Sequence, residues 1–295
     1  MTLLLQYTVT GIMVGSVYAL IALGIVVIYK SSSVFNFAHG DFMLAGGLLS
    51  LSMLTMGIHP ALSVTIAVIL GMAFGILIER GLITPLIGQP VLAAVMMTLG
   101  LSVFMKGLIG MIWGFSFIPF PSLLPQTMVR LGDIRIASDQ MTAFIICAVL
   151  FSAFAVFFWR TKLGLAMRAT AEDNPLTESL GINVKNILAI VWGIAFAIAV
   201  IAGILMSSVS GGVGLTTADL ALKAFPAVIV GGLESIVGAA VGGLIVGICE
   251  FVGGGLLDPL VPAGGTQDII PYVVLLIILL IRPYGFFGQK KIERI

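Results

Sequence analysis

The run Trp159–Ile182, W-R-T-K-L-G-L-A-M-R-A-T-A-E-D-N-P-L-T-E-S-L-G-I, is the longest polar stretch in a chain where only 9% of residues are charged. It holds Arg160, Lys162, Arg168, Glu172, Asp173 and Glu178, and very apolar segments flank it on both sides. Asn174-Pro175 interrupts it, because proline fixes its own φ and disfavours helix at the residue before it. Asp173 or Asn174 can then cap a short helix, Pro175 to Leu180, that stops at Gly181. A structured, charged loop between apolar segments is what a membrane protein places in water. On composition alone the loop is either a contact surface or a solvated linker.

The flanking sequence fixes the class. Hydrophobic residues make up 60% of the 295, and mean hydropathy is +1.21. Soluble domains are about 45–50% apolar. Several runs approach the ~20 residues needed to span a bilayer. The expected fold is all-α: a polytopic transmembrane bundle forming a single domain over residues 1–295. A net charge of +1 with no basic, aromatic-laced cluster gives no indication of nucleic-acid binding. Cys147 and Cys249 lie far apart inside apolar runs, as small core residues rather than a disulfide or metal pair. Met1-Thr2-Leu3 lacks the basic start of a cleavable signal, so the first apolar segment is expected to be retained.

The apolar segments run from about Leu3 to Tyr29, Phe35 to Met56, Leu62 to Glu79, Val91 to Trp113, Met141 to Trp159 and Ile187 to Ser208. Two shorter pieces, Leu222 to Leu233 and Ile236 to Gly253, and a last segment, Ile269 to Ile281, follow. Lysine and arginine in the loops set orientation. With about eight to nine segments and the N-terminus outside, Lys30, Arg80, Arg160, Lys162, Arg168, Lys185 and the basic C-terminus (Lys290, Lys291, Arg294) fall in the cytoplasm. The loop over residues 160–186 is then cytoplasmic, and the Pro-rich region 114–139, with Arg130 and Arg135, lies outside together with Lys223.

Leu222 to Leu233 is too short to cross as a straight helix, and it runs into Gly231-Gly232. Broken helices at membrane depth are tolerated where they are buried or line an aqueous cavity. Phe35 to Leu48, which also ends in Gly-Gly-Leu, is its candidate counterpart in a repeated half. Gly11/Gly15, Gly71/Gly75, Gly110/Gly114, Gly238/Gly242 and Gly243/Gly247 are small-xxx-small pairs that allow close helix packing.

Few residues can carry chemistry. Asn36, Phe37, His39 and Asp41 open the second segment, and intramembrane ionisable groups are functional candidates because burying them is costly. His39 and Asp41 are two apart, so they do not share a helix face and do not read as a metal pair. The group either lines a pathway or is a hydrogen-bonded helix start capped by Asn36 or Asp41. Lys106, deep in the fourth segment, needs a partner, a water-filled cavity or room to snorkel. Glu250 and Asp219 read as interfacial. The chain contains no G-x-x-x-x-G-K-[ST], serine elbow or nucleotide fingerprint. It is expected to be a non-catalytic chain that binds no cofactor or metal itself.

Val34 to Gly47 (V-F-N-F-A-H-G-D-F-M-L-A-G-G), Gly164 to Ile182 and Lys223 to Gly243 (K-A-F-P-A-V-I-V-G-G-L-E-S-I-V-G-A-A-V-G-G) resemble, in order, three blocks of the LivH-type permease of branched-chain amino acid ABC importers. The resemblance covers essentially the whole chain. It implies a multi-pass subunit of the bacterial inner membrane that pairs with a LivM-like second permease. Two cytoplasmic ATPase subunits carrying ATP and Mg, and a periplasmic binding protein, complete such importers. It further implies that the loop bearing Gly164, Arg168, Glu172, Asp173, Asn174, Pro175 and Gly181 docks on the ATPase. Asn36, Phe37, His39, Asp41, Lys106, Gly231 and Gly232 are the candidate pathway residues, and membrane lipid is a further expected partner of the chain. Region 114–139 and Lys106 depart from the family pattern, which leaves urea, short amides or other carboxylates as alternative substrates. A stand-alone channel or secondary transporter is the alternative from another class.

Overall fold

A computed structural model describes residues 2–131, 134–261 and 264–288. The basic C-terminal residues Lys290, Lys291 and Arg294 lie outside the described residues. The chain is helical nearly throughout. The order is α1 (Thr2–Ser32), α2 (His39–Thr55), α3 (Pro60–Ile78), α4 (Val91–Trp113), α5 (Ser138–Arg160), α6 (Lys162–Glu172), α7 (Asn174–Ser179), α8 (Val184–Ser210), α9 (Leu215–Gly231), α10 (Ile236–Leu257) and α11 (Thr266–Ile281). Six of these are long and apolar enough to cross a membrane, and α2, α9 and α11 are shorter, at 17, 17 and 16 residues. The chain is a multi-pass helical membrane protein.

Local chemistry sets most boundaries. Pro60 opens α3 behind His59, whose ring accepts from Ala61 N–H at 3.3 Å. Gly114, with φ +82°, closes α4. Three departures from the sequence expectation stand out. Beyond α3 the helix widens into a π-turn, Glu79–Ile83, and then a 3₁₀ turn, Thr84–Leu86. The piece expected at Leu222 to Leu233 begins seven residues earlier, because the Gly/Thr-rich stretch supplies its own first turn. There Thr217 N–H donates to Gly214 C=O at 2.8 Å, and the Thr217 hydroxyl accepts from Gly214 N–H at 3.3 Å. Counting only apolar residues missed this polar helical turn. The region 114–139, read as irregular, contains three short strands, β1 (Ile118–Pro119), β2 (Met128–Leu131) and β3 (Ile134–Ala137). β1 pairs with β4 (Gly212–Val213), and β2 pairs with β3 in an antiparallel hairpin.

The chain divides into two compact units. One comprises Val27–Leu123 and Val149–Ala221, and α8 is its axis. α2 and α3 pack on α8 through glycines: a Cβ on Gly46 or Gly71 would meet Val200, and one on Gly203 would lie 2.0 Å from Met43 C=O. Leu44, Leu48, Leu51, Val200 and Ile204 form its core with Phe120 and Val213. The other unit comprises Met1–Val26, Leu124–Ala148 and Leu222–Ile295. Here Gly11 and Gly15 of α1 face Gly243 and Gly247 of α10, so that a Cβ on Gly247 would sit 2.4 Å from Gly15 Cα. Lipid is as apolar as a leucine side chain, so such close backbone packing, rather than burial of oily surface, holds membrane helices together. Gly110/Gly114 is not such a pair: Phe115 covers Gly110, and Gly114 is the α4 cap.

Candidate functional site

The polar loop folds as two capped helices. α5 ends at Arg160, and Thr161 turns extended (φ −101°, ψ 156°), its hydroxyl accepting from Gly164 N–H at 3.0 Å to start α6. Gly164 is required by space, since a Cβ there would lie 2.3 Å from Phe158 C=O. Arg168, one turn on, folds back over the Trp159 and Phe158 rings at 4.9 and 5.5 Å and donates to Phe158 C=O. Asp173 then breaks the helix and caps the next one, accepting from Leu176 N–H at 2.9 Å. Pro175 occupies the first turn, where its missing N–H costs nothing. Gly181, at φ +83°, ends the motif, with Gly181 N–H on Glu178 C=O and Ile182 N–H on Thr177 C=O. The expected short helix is present one residue earlier than read, and Asp173 rather than Asn174 is its cap.

This pair of helices has a rooted side and an open side. Met167, Thr170 and Thr177 are buried, whereas Leu165, Leu176 and Leu180 are 59%, 59% and 71% exposed beside Glu172, Asp173 and Glu178. Apolar and acidic groups alternate over the open side. Beneath α7 lies a cavity of about 350 Å³, lined by Pro175, Glu178, Lys185, Gln89, Ile83 and Leu188. Asn183 caps α8 through Asn186 N–H (3.1 Å), and Arg80 of the π-turn donates to Asn186 Oδ1 at 3.2 Å. The start of α8, which follows α7 directly, is thereby tied to the end of α3.

The same unit contains the polar start of α2. Asn36 Oδ1 accepts from Ala38 N–H at 3.1 Å, and Thr98 of α4 donates to Phe35 C=O and accepts from Phe37 N–H. Neither Asn36 nor Asp41 caps α2 directly; the N-cap is Ala38, without a side-chain bond. His39 is fully buried, and neither ring nitrogen has a hydrogen-bond partner among the described residues; nor does Asn36 Nδ2. Leaving a buried donor unmet costs on the order of 1–3 kcal/mol. Asp41 meets Lys106 Nζ at 3.9 Å, and the Ser102 side chain hydrogen-bonds the same carboxylate. Lys106 thus has the partner its depth demanded, with its side chain still 43% exposed.

Gly231 and Gly232 lie elsewhere, in the other unit. A Cβ on Gly231 would meet Gly238 C=O at 2.0 Å, and Gly232 takes φ +106° at the turn into α10. That unit also contains a site the sequence reading passed over. Glu250, expected at an interface, sits mid-α10 with a buried side chain, bonded at 2.8 Å to Lys223 Nζ of α9. Lys223 also reaches Asp268 of α11 at 2.7 Å, and Tyr18 of α1 hydrogen-bonds Glu250. Residues 27 and 45 positions apart in sequence leave no local signal for such a network.

The profile of the branched-chain amino acid transport system permease component matches residues 7–279. The chain belongs to this permease family. It is 32% identical to the high-affinity branched-chain amino acid transport system permease protein BraD of Pseudomonas aeruginosa, covering 99% of this chain and 98% of the relative. It is 30% identical to LivH of Escherichia coli K12 over 99% and 97% of the two chains. A probable LivH of Methanocaldococcus jannaschii is 29% identical over 97% and 93%. Among solved structures, PsaBC from Streptococcus pneumoniae in complex with Fab superposes with a TM-score of 0.53 at 16% identity, over 97% of this chain and 94% of that one. That likeness is one of fold. In the permease, α6–α7, the α2 start with Lys106 and the Lys223 network are three separate polar features built by different helices.

Proposed function

We propose that this permease is one subunit of an ATP-driven importer of the bacterial inner membrane, carrying branched-chain amino acids inward by alternating access. The reading extends the printed function of its relatives to this chain. The observation that carries it is the open side of α6–α7, where Leu165, Leu176 and Leu180 stand exposed among Glu172, Asp173 and Glu178. A capped helix pair with leucines facing water is built for a partner, and in this reading the partner is an ATPase subunit. ATP and Mg²⁺ would be held by two such subunits, a periplasmic binding protein would deliver substrate, and a LivM-like permease would complete the pathway. The N-terminus is outside and the C-terminus inside. ATPase closure would press on α7 and reach the membrane helices through the start of α8 and the Arg80–Asn186 contact, a shift of packed elements rather than a new fold.

The test uses the assembled importer in proteoliposomes. Glu172→Lys with Glu178→Lys leaves the Asp173 cap intact and reverses the acidic side of the knob. Substrate-stimulated ATP hydrolysis and uptake of labelled leucine are expected to fall together, with membrane insertion unchanged. Full stimulated hydrolysis in the assembled variant would sink the assignment. Urea and acetamide uptake, run in parallel, decide between the amino-acid reading and the amide one.

A further inference from the structure

α2 begins inside the membrane span rather than at its edge. α1 stops at Ser32, and the chain runs non-helically from Ser33, at φ +54°, to Ala38. Thr98, bonded to Phe35 and Phe37, sets the depth of this break: it lies about 10 Å into α4 from Val91. Non-helical backbone at such depth belongs where it is buried in protein or lines a polar cavity, and transporters place substrate sites at such breaks. The first turn of α2 holds Asp41, 1% exposed, whose Oδ1 accepts no hydrogen bond from a described residue. Its counterion is Lys106 Nζ at 3.9 Å, beyond hydrogen-bond reach, with 43% of the lysine side chain open. Lys106 is about 10 Å from Trp113, the nearer end of α4. Its amine nevertheless turns in to Asp41 rather than along the helix to water, and facing the open flank of such a lysine to hydrocarbon is costly. Asp219 of α9, exposed, lies within electrostatic reach of Asp41. Asp41, Lys106 and Asp219 all belong to the compact unit built on α8.

We propose that Asp41 and Lys106 form a head-group site for a zwitterionic α-amino acid, an inference that rests on the importer reading above and narrows its substrate class. Lys106, on its flexible stem, swings from Asp41 to take the α-carboxylate, and the α-ammonium takes its place on the unbonded Oδ1. One loose ion pair is thereby exchanged for two charge-assisted hydrogen-bonded ones. Neither charge of the pair is left uncompensated as the substrate enters, which is the costly outcome for a buried carboxylate. Asp219 adds a second acid at the mouth, drawing in the ammonium and repelling a plain carboxylate. Urea and short amides carry neither charge and leave the pair closed.

The experiment melts the assembled importer in nanodiscs, without its binding protein, in leucine, leucinamide or 4-methylpentanoate at equal millimolar concentration. Leucine is expected to raise the melting temperature of the permease by a few degrees. Leucinamide, which lacks the carboxylate, and 4-methylpentanoate, which lacks the ammonium, are expected to raise it by less than half as much. Lys106→Gln should abolish the leucine shift, measured from that variant's own ligand-free melting, and lower leucine uptake with the binding protein about tenfold. Lys106→Arg keeps the charge and should retain a shift and part of the uptake. Equal stabilisation by the three compounds overturns the proposal, as does a leucine shift that survives in Lys106→Gln. A parent importer that takes up leucine yet shows no leucine shift also overturns it and leaves the importer reading standing. A parent that takes up no leucine even with its binding protein overturns the importer reading itself.

Discussion

Lys223 and Lys106 show how differently two intramembrane lysines can be accommodated. Lys223 is 16% exposed and bonds one oxygen of a Glu250 carboxylate that is 2% exposed. Removing one member of such a buried pair leaves an uncompensated charge, a loss of ~3 kcal/mol or more. Lys223→Met should therefore lower the melting temperature in detergent sharply, and adding Glu250→Gln should recover much of the loss; a single variant as stable as the parent would refute the pairing. Lys106 meets the buried Asp41 at 3.9 Å with 43% of its own side chain exposed, a looser contact than that of Lys223 with Glu250. Because Asp41 is buried, Lys106→Ala is expected to lower melting, though by less than Lys223→Met, and its transport is read beside its melting. The need for a partner could be read from the depth of Lys106 in its segment. That the partner is Asp41 could not, because the two are 65 positions apart and meet only when α2 and α4 pack.

Among the elements, α7 and the α1–α10 crossing are held by opposite means. α7 has six residues, too few to persist alone, and depends on its Asp173 cap and Pro175 start. Asp173→Ala should cost about 1 kcal/mol locally and Asp173→Asn almost nothing, which amide exchange over Leu176–Leu180 will register as faster exchange in the first variant only. The crossing of α1 and α10 depends on the absence of side chains. Gly247→Val would drive a methyl-bearing carbon into the Gly15 backbone, 2.4 Å away. Loss of the folded chain on size exclusion is the expected outcome, whereas Gly100→Ala, with open space at its Cβ, should be silent. The α7 motif was legible in sequence because caps and proline act within a few residues. The glycine pairs were legible as a class, yet Gly110/Gly114 shows that spacing alone does not distinguish a helix contact from a helix end.

For the whole molecule, the arrangement of positive charge predicts the orientation. Single cysteines placed at Arg135 and at Ser179 should be labelled by an impermeant thiol reagent from opposite sides of intact cells or vesicles, Arg135→Cys from outside. The native Cys147 is buried and should stay silent. Labelling of both from one side would contradict the N-out, C-in topology.

Composition and hydropathic runs by themselves determined that the chain is a helical multi-pass membrane protein, because long continuous apolar runs satisfy their backbone in a bilayer as helices, whereas barrel strands are short and alternate. The capped α6–α7 loop was likewise fixed locally, by Thr161, Asp173, Pro175 and Gly181. Tertiary structure alone decided what the isolated charges mean. It brought Lys223, Glu250 and Asp268 from three helices onto one ion network, set Arg130 across from Arg135, and left His39 buried among groups that do not pair with it. Those outcomes depend on helix packing and strand register between residues distant in sequence, and neither leaves a periodic trace in the chain.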